Sequence, residues 1–343
     1  MKDLKIKHLS DADRARWDAF VESCPEASFF HLSGWQRVIA TALGHRTDYL
    51  YAERGGAIVG VLPLAQVKSL LFGNALTSVP FCVYGGVAAN DAEAAAALQA
   101  HAVEIAEDRA VDHLELRHVV QRNPDWPHKD LYVTFRRPIS ADDDENMKAI
   151  PRKQRAMVRK GINAGLISEI DNHVDRFFEA YSESVRNLGT PVLPKRWYAA
   201  IKAEFGDACE LLSITHEGRL VAAVMSFYFR DEVLPYYGGG TAQARALKGN
   251  DFMYWEVMRR AAARGVRVFD YGRSKQGTGS YSFKKNWGFE PQPLFYEFHL
   301  VEASELPDVN PLNPKYRMFI AAWQRLPLGL SRMLGPWLAR NLG

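Results

Sequence analysis

The stretch that decides the fold reads GRLVAAVMSF at residues 218–227 and then LPYYGGG at residues 234–240. A turn glycine opens a long apolar run, and a second run ends in aromatic residues and glycines. That pattern predicts two antiparallel strands with glycine turns before and after them. The first half of the chain carries the same order: GAIVGVLPL at 56–64 leads to PFCVYGG at 80–86. Duplication of one strand-rich unit accounts for both.

Around each meander the same neighbours recur. Upstream of the first, Ser10 with Asp13 and the apolar Trp17, Phe20 and Val21 predict a helix, and 33–44 predicts a second one closed by Gly44. Residues 48–53 and 57–64 read as hairpin arms, 78–84 as a further strand, 91–109 as an Ala-rich helix, and 113–119 and 131–138 as strands. The acidic run Asp142–Glu145 breaks the composition and predicts a boundary. Beyond Pro151 a basic helix runs to Gly165. Helices at 174–188 and 195–205 precede strands at 210–216, 220–230 and 233–237. A helix at 251–264 and strands at 266–271 and 294–301 close the series, with a loop between the last two. The expectation is an α/β (α+β) chain with mixed central sheets. Its domains would be 1–141 and 142–302, the second carrying the site, with 303–343 a helical tail packing back on the first.

Composition narrows the function classes. Forty-three basic against forty acidic residues leave a formal charge of +3. No uniform field of the kind a DNA binder carries comes from that, so no DNA partner is expected. Cys24, Cys82 and Cys209 stand far apart with no paired spacing. Reduced thiols in a cytoplasm fit them, and no metal site is expected. Residues 69–90 carry no charge over 22 positions, but Gly73, Pro80, Gly85 and Gly86 make them strands and turns rather than a membrane span. The N-terminus lacks the apolar core of a signal peptide.

Three places draw attention as sites. Residues 148–160 hold Lys148, Arg152, Lys153, Arg155, Arg159 and Lys160 and no acid. On a helix, Arg152, Arg155 and Arg159 share one face, and forked guanidiniums suit phosphate; the bland reading is a solvated face. The second place is the run Gly238, Gly239 and Gly240 followed by Gly249 and Asn250, a strand end facing a helix start whose free N–H groups attract anions. Gly runs are also ordinary turns. The third is FDYGRSKQGTGSYSFKKNWGFEP at 269–291, where Asp270 ends a strand and Arg273, Lys284 and Lys285 lie on a basic loop suited to close over an anion. A surface hairpin is the alternative there. No nucleophile elbow, zinc motif or P-loop occurs.

Together, SFFHLSGWQRVI (28–39), IVGVLPL (58–64), PFCVYGG (80–86), IPRKQRAMVRKGINAGL (150–166) and the 269–291 segment resemble the FemAB-like family, and within it the branch associated with exosortase/PEP-CTERM clusters. The resemblance implies two GNAT-like (acetyltransferase-fold) domains in tandem and an acyltransferase or aminoacyltransferase acting on an amine of a peptidoglycan or exopolysaccharide precursor. It implies an acyl-CoA or aminoacyl-tRNA donor rather than a tightly bound cofactor. It also implies a lipid-linked or nucleotide-linked acceptor whose phosphates meet Arg152, Arg155, Arg159, Lys284 and Lys285. Asp270 or Tyr237 would handle the proton. Residues 245–250 depart from the usual CoA-binding loop, since Gly249 falls one place late. An amino-sugar N-acetyltransferase and an inactive precursor-binding fold are the rival readings.

The tail has its own character. From Val309 onward there is no acid, while Lys315, Arg317, Arg325, Arg332 and Arg340 alternate with Met318, Phe319, Trp323, Met333 and Trp337. Such a segment either docks its apolar face on protein or lies on the inner face of an anionic membrane.

Overall fold

The computed structural model describes residues 3–69, 72–307 and 314–342, but no side chain of 314–316; Lys315 thus lies outside the described side chains. Two compact units share the chain: 1–132 with 293–309 and 340–343, and 133–292 with 310–339.

The first unit contains β1 (Leu4–His8), α1 (Arg14–Ser23), α2 (Gly34–Leu43), β2 (Arg46–Arg54), β3 (Ala57–Ser69), β4 (Gly73–Ser78), α3 (Ala92–Asp108) and β5 (His113–His118). The second runs from β6 (Tyr132–Pro138) through α4 (Asp143–Ala149), α5 (Arg152–Asn163), β7 (Ile167–Asp171), α6 (Asp175–Asn187) and α7 (Lys195–Phe205). It continues with β8 (Cys209–His216), β9 (Arg219–Phe229), β10 (Glu232–Gly240), α8 (Gly249–Ala263), β11 (Val268–Asp270) and α9 (Gly279–Asn286). Then β12 (Phe295–Leu300) returns to the first unit, and α10 (Pro314–Gln324) and α11 (Leu328–Ala339) follow.

Both sheets are mixed and obey one plan. The first has the order β1-β2-β3-β4-β5-β12 and the second β7-β8-β9-β10-β11-β6, with short two- and three-residue strands added. In each, three antiparallel pairings are followed by one parallel and one antiparallel pairing. A parallel neighbour needs a crossover, which α3 supplies in one unit and α8 in the other. The expected tandem α/β architecture is borne out by the repeated sheet plan, although the strand that answers LPYYGGG is Gly73–Ser78 and not PFCVYGG.

Local chemistry accounts for the helices. Asp91 caps α3 by accepting from the Ala94 amide at 2.9 Å, and Gly44 ends α2 with φ 74°. The small face of α3, Ala94, Ala95, Ala102 and Ala106, lies on the leucine core of Leu50, Leu62, Leu76 and Leu114. On α5, Gln154, Val158 and Gly161 are buried, and a Cβ at Gly161 would stand 2.8 Å from the Phe252 Cβ of α8. Only glycine lets the two helices approach that closely.

Four expectations are corrected. The boundary at 141/142 fails because β6 belongs to the second sheet and β12 to the first. The strand at 78–84 is instead a buried loop after Ser78, with Val79 and Phe81 at φ 46° and 69°. The loop within 269–291 contains α9, capped where the Thr278 hydroxyl accepts from the Tyr281 amide. The tail divides: α10 and α11 lie on α6 of the second unit, with Ile320 against Gly189 and Arg332 bonded to Ser182, whereas Arg340 belongs to the first unit and donates to the Leu43 carbonyl at 2.8 Å. The strands β1 and β7 were not anticipated; both are short, charged edge strands of five residues.

Candidate active site

The second sheet opens where its parallel pair ends. Glu232 and Val233 of β10 pair with Val268 and Phe269 of β11, and there the pairing stops. On its other side β10 stays bonded to β9 as far as Gly240. Between Met225 and Ser226 the register shifts, so that Tyr237 and Pro235 have partners and Tyr236 is the extra residue of a bulge. A bulge twists its strand locally and re-aims a side chain. Tyr236 sits across from Gly272, its Cδ2 3.9 Å from where a Cβ on that glycine would lie.

The glycine run is explained by packing. A Cβ on Gly238 would stand 2.9 Å from the Tyr254 hydroxyl, one on Gly239 2.5 Å from the Ser184 Cβ, and one on Gly240 2.4 Å from the Ala244 Cβ and 2.8 Å from Asn250 Oδ1. Gly249 is as tightly placed, with Val221 Cγ1 at 2.6 Å. These residues let α6 and α8 close on β10. Just beyond, Asp251 occupies the first turn of α8, and its Oδ1 accepts from Gln154 Nε2 at 3.0 Å and Trp287 Nε1 at 3.1 Å. Burial raises the Asp251 carboxyl pKa, outweighing those two donors. Tyr237 lies in an aromatic cluster with Tyr181, Tyr198 and Tyr236, and its hydroxyl accepts from Trp197 Nε1 at 3.2 Å.

Beside the opening stands a buried charged group. Asp270 is fully buried; it accepts from the Gly272 amide at 2.7 Å and the Thr134 hydroxyl at 3.2 Å, and its other oxygen is 3.3 Å from Arg136 Nε. Arg136 also pairs with Glu232, whose carboxyl is raised by burial against the pull of that guanidinium. Lys284 is 9% exposed, and its ammonium donates to the carbonyls of Gly272 at 2.9 Å and Arg273 at 3.0 Å. Burial pushes its pKa down to about 7, with Asp270 opposing the shift and Arg273 adding to it. A lysine so held exchanges its proton near neutral pH, unlike an exposed one. Lys284 thus differs from the solvated lid lysine expected of it, whereas Lys285 is exposed and Arg273 half-buried.

The helix arginines divide. Arg152 and Arg159, with Lys160, are exposed and line a groove of about 450 Å³ together with Arg155, Ala156 and Asn163. Arg155 is already engaged: it donates to the carbonyls of Lys148 at 3.1 Å and Ile150 at 3.1 Å, closing the end of α4. Asp270, Lys284 and Arg273 therefore meet at one place, Tyr237 and the glycines lie on the neighbouring strand, and the arginines stand on the outer face of α5. Arg136, Thr134, Glu232 and Asp251 were missed. Two adjacent arginines in the strand VTFRRP, and an acid at the start of α8, were the available signals.

Among the described residues no group of three potential metal ligands occurs, and no helix is long and apolar enough to cross a membrane. Residues 146–285 match the acetyltransferase (GNAT) domain family. No curated protein matches the chain. FemX is similar in structure, at 17% identity and TM-score 0.68 over 92% of this chain and 100% of that one. A tandem GNAT protein from the clavulanic acid biosynthesis pathway follows at 15% and 0.56, over 88% and 100%. The C-terminal domain of a putative lysylphosphatidylglycerol synthetase from Agrobacterium fabrum gives 13% and 0.56, over 83% and 91%. The chain therefore has a tandem GNAT fold, with the acetyltransferase (GNAT) match at residues 146–285, the arrangement that the FemAB-like resemblance implies.

Proposed function

We propose that this chain transfers an acyl or aminoacyl group from an activated ester or thioester to an amine, at the opening between β10 and β11. The observation that carries the reading is the buried lysine beside that opening, with a pKa of about 7. An acceptor amine reaches the site as an ammonium and must lose a proton before it attacks. Neutral Lys284 accepts that proton; the amine nitrogen then bonds to the carbonyl carbon, and the bond to the leaving thiol or alcohol breaks. Lys284 passes that first proton to solvent, and the second proton, which the nitrogen sheds on becoming an amide, goes by way of Lys284 to the leaving group. Asp270, held by Arg136 and Thr134, positions the Gly272–Arg273 turn on which Lys284 rests. In this scheme Asp270 is a positioning residue and Lys284 carries the proton. Tyr237 becomes part of the wall.

Arg152, Arg159 and Lys160 would hold the phosphates of a nucleotide-linked or lipid-linked envelope precursor, and Arg273 and Lys285 lie on the segment nearest Lys284. The acetyltransferase match supports an acyl-CoA donor. Asp251, however, puts a carboxyl at the helix end where a CoA pyrophosphate would lie, and Asn250 is packed on Gly240. The test is calorimetry with acetyl-CoA, acyl-carrier protein and charged tRNA side by side, at a pH above 7. Saturable binding of one donor, with transfer abolished in Lys284→Met, is expected. Binding of none would make the chain a precursor-binding scaffold. The cytoplasm is the compartment this chemistry suits.

A further inference from the structure

The tail packs the wrong way round for an ordinary surface helix. On α11, Ser331, Gly335 and Ala339 face the protein. A Cβ on Gly335 would stand 3.0 Å from the Val192 backbone, so the inward face is small because the contact is close. Leu330, Met333, Leu334 and Trp337 follow the i, i+3, i+4, i+7 spacing of a core-facing stripe, yet they are 43%, 65%, 42% and 60% exposed. On α10, Ile320 and Trp323 turn inward, while Met318 is 78% exposed and Phe319 40%. Large apolar side chains on two successive helices therefore point away from the unit they are attached to.

The side-chain charges carried by the two helices have one sign. Arg317 and Arg325 are exposed, and no acid occurs anywhere from residue 309 to 343. Arg332 is anchored by its bonds to Ser182 Oγ at 2.9 Å and the Glu179 carbonyl at 3.3 Å. Placed against a second copy of itself, the patch would bring like charges together. Against anionic headgroups the arginines are neutralised, while Met333, Leu334 and Trp337 enter the boundary between headgroup and acyl chain. We propose that α10 and α11 form a docking face for an anionic lipid surface. It is independent of the transfer chemistry in the sheet, and it would hold the protein beside lipid-borne substrates.

The experiment uses the full chain with vesicles of phosphatidylcholine alone or with phosphatidylglycerol, at low and high salt. The intact protein sediments with the anionic vesicles and is released by salt, since the attraction is screened. Met333→Ser/Trp337→Ser and, separately, Arg317→Gln/Arg325→Gln each weaken this by about tenfold. Their melting temperatures stay at the wild-type value, because the altered side chains are exposed. Three results overturn the proposal: equal sedimentation of wild type and both variants, a lowered melting temperature in the serine variant, or a concentration-dependent dimer that this variant abolishes with no effect of vesicles.

Discussion

In the second unit, β10 and β11 part after two residue pairs, and Tyr236, Asp270 and Lys284 border the space. In the first, β4 and β5 part after three pairs, and the chain itself fills the gap. The Arg117 guanidinium donates to the Cys82 carbonyl at 2.6 Å, and the Gly85 and Gly86 amides donate to the Arg117 carbonyl at 3.2 and 2.9 Å. Val87 donates its amide to His118 Nε2 at 3.0 Å, which fixes the other ring proton on Nδ1, 2.9 Å from Glu297. Tyr296 reaches the Val83 carbonyl at 2.7 Å. The plug is held in spite of two left-handed residues, Val79 and Phe81, which cost about 1–2 kcal/mol each. Sheets of one plan differ at the same topological point, the first closed by its own chain and the second left open.

The sharpest way to break this contrast is Lys284→Met. Turnover should fall by about 10²–10⁴-fold, the range of a general acid–base group. In the wild type the rate should rise as pH passes upward through about 7, where Lys284 loses its proton, and that limb should vanish in the variant. Its stability linkage has the same sign. The folded pKa lies below the usual 10.5, so the unfolded chain binds the extra proton between about pH 7 and 10.5, and stability climbs with pH across that window. Urea unfolding at two alkaline pH values checks it.

Next in size is Gly86→Ala in the plug. Its Cβ would stand 1.9 Å from His118 Cδ2, and we expect a loss of about 3 kcal/mol in urea unfolding with unchanged turnover per folded molecule. A drop in turnover beyond the folded fraction would mean that the first unit takes part in the reaction.

Glu297→Gln should cost about 2 kcal/mol at neutral pH. Burial works to raise the Glu297 carboxyl, but hydrogen bonds from His118 and from the Asn123 and Arg122 amides outweigh it and hold the pKa at about 2. Its contribution is therefore full above pH 4.5 and lost as pH falls toward 2, so the acid unfolding limb of wild type should be steeper than that of the variant.

The smallest effects separate two arginines of α5. Arg155→Ala should lower stability by about 1 kcal/mol, since the end of α4 loses its donor. Arg159→Ala should leave melting unchanged and weaken binding of a phosphorylated acceptor by about tenfold, read by calorimetry. Identical behaviour of the two variants would dissolve the distinction.

Much of the fold was legible in the sequence because it rests on local signals. The apolar run in GRLVAAVMSF, the caps at Asp91 and Gly44, and the alanine face of 92–108 each state a conformation within a few residues. What escaped notice depends on partners distant in the chain. The loop after Ser78 reads as a strand because PFCVYGG is as apolar as one; only Arg117 and Tyr296 divert it. The site was half visible. Lys284 and Asp270 stood out by position, but burial, which sets the chemistry of both, is a property of Phe135, Arg136 and Thr134 on a strand contributed from far upstream. Conversely, the glycine run that looked like a ligand cradle is spoken for by Ser184, Ala244 and Tyr254.

The exchange of closing strands bears on how the protein is made. A ribosome releases β6 long before β11, its eventual neighbour, exists; the first sheet must wait for β12, which emerges after the whole second sheet. Neither unit is therefore a separable gene segment. A chain stopped at residue 141 holds a sheet whose β5 is paired on one side only and a stray strand that belongs elsewhere, and both offer open edges to other nascent chains. Fragments cut there should be insoluble when expressed alone, and swapping halves between related proteins should succeed only where both exchanged strands travel with the sheets they complete.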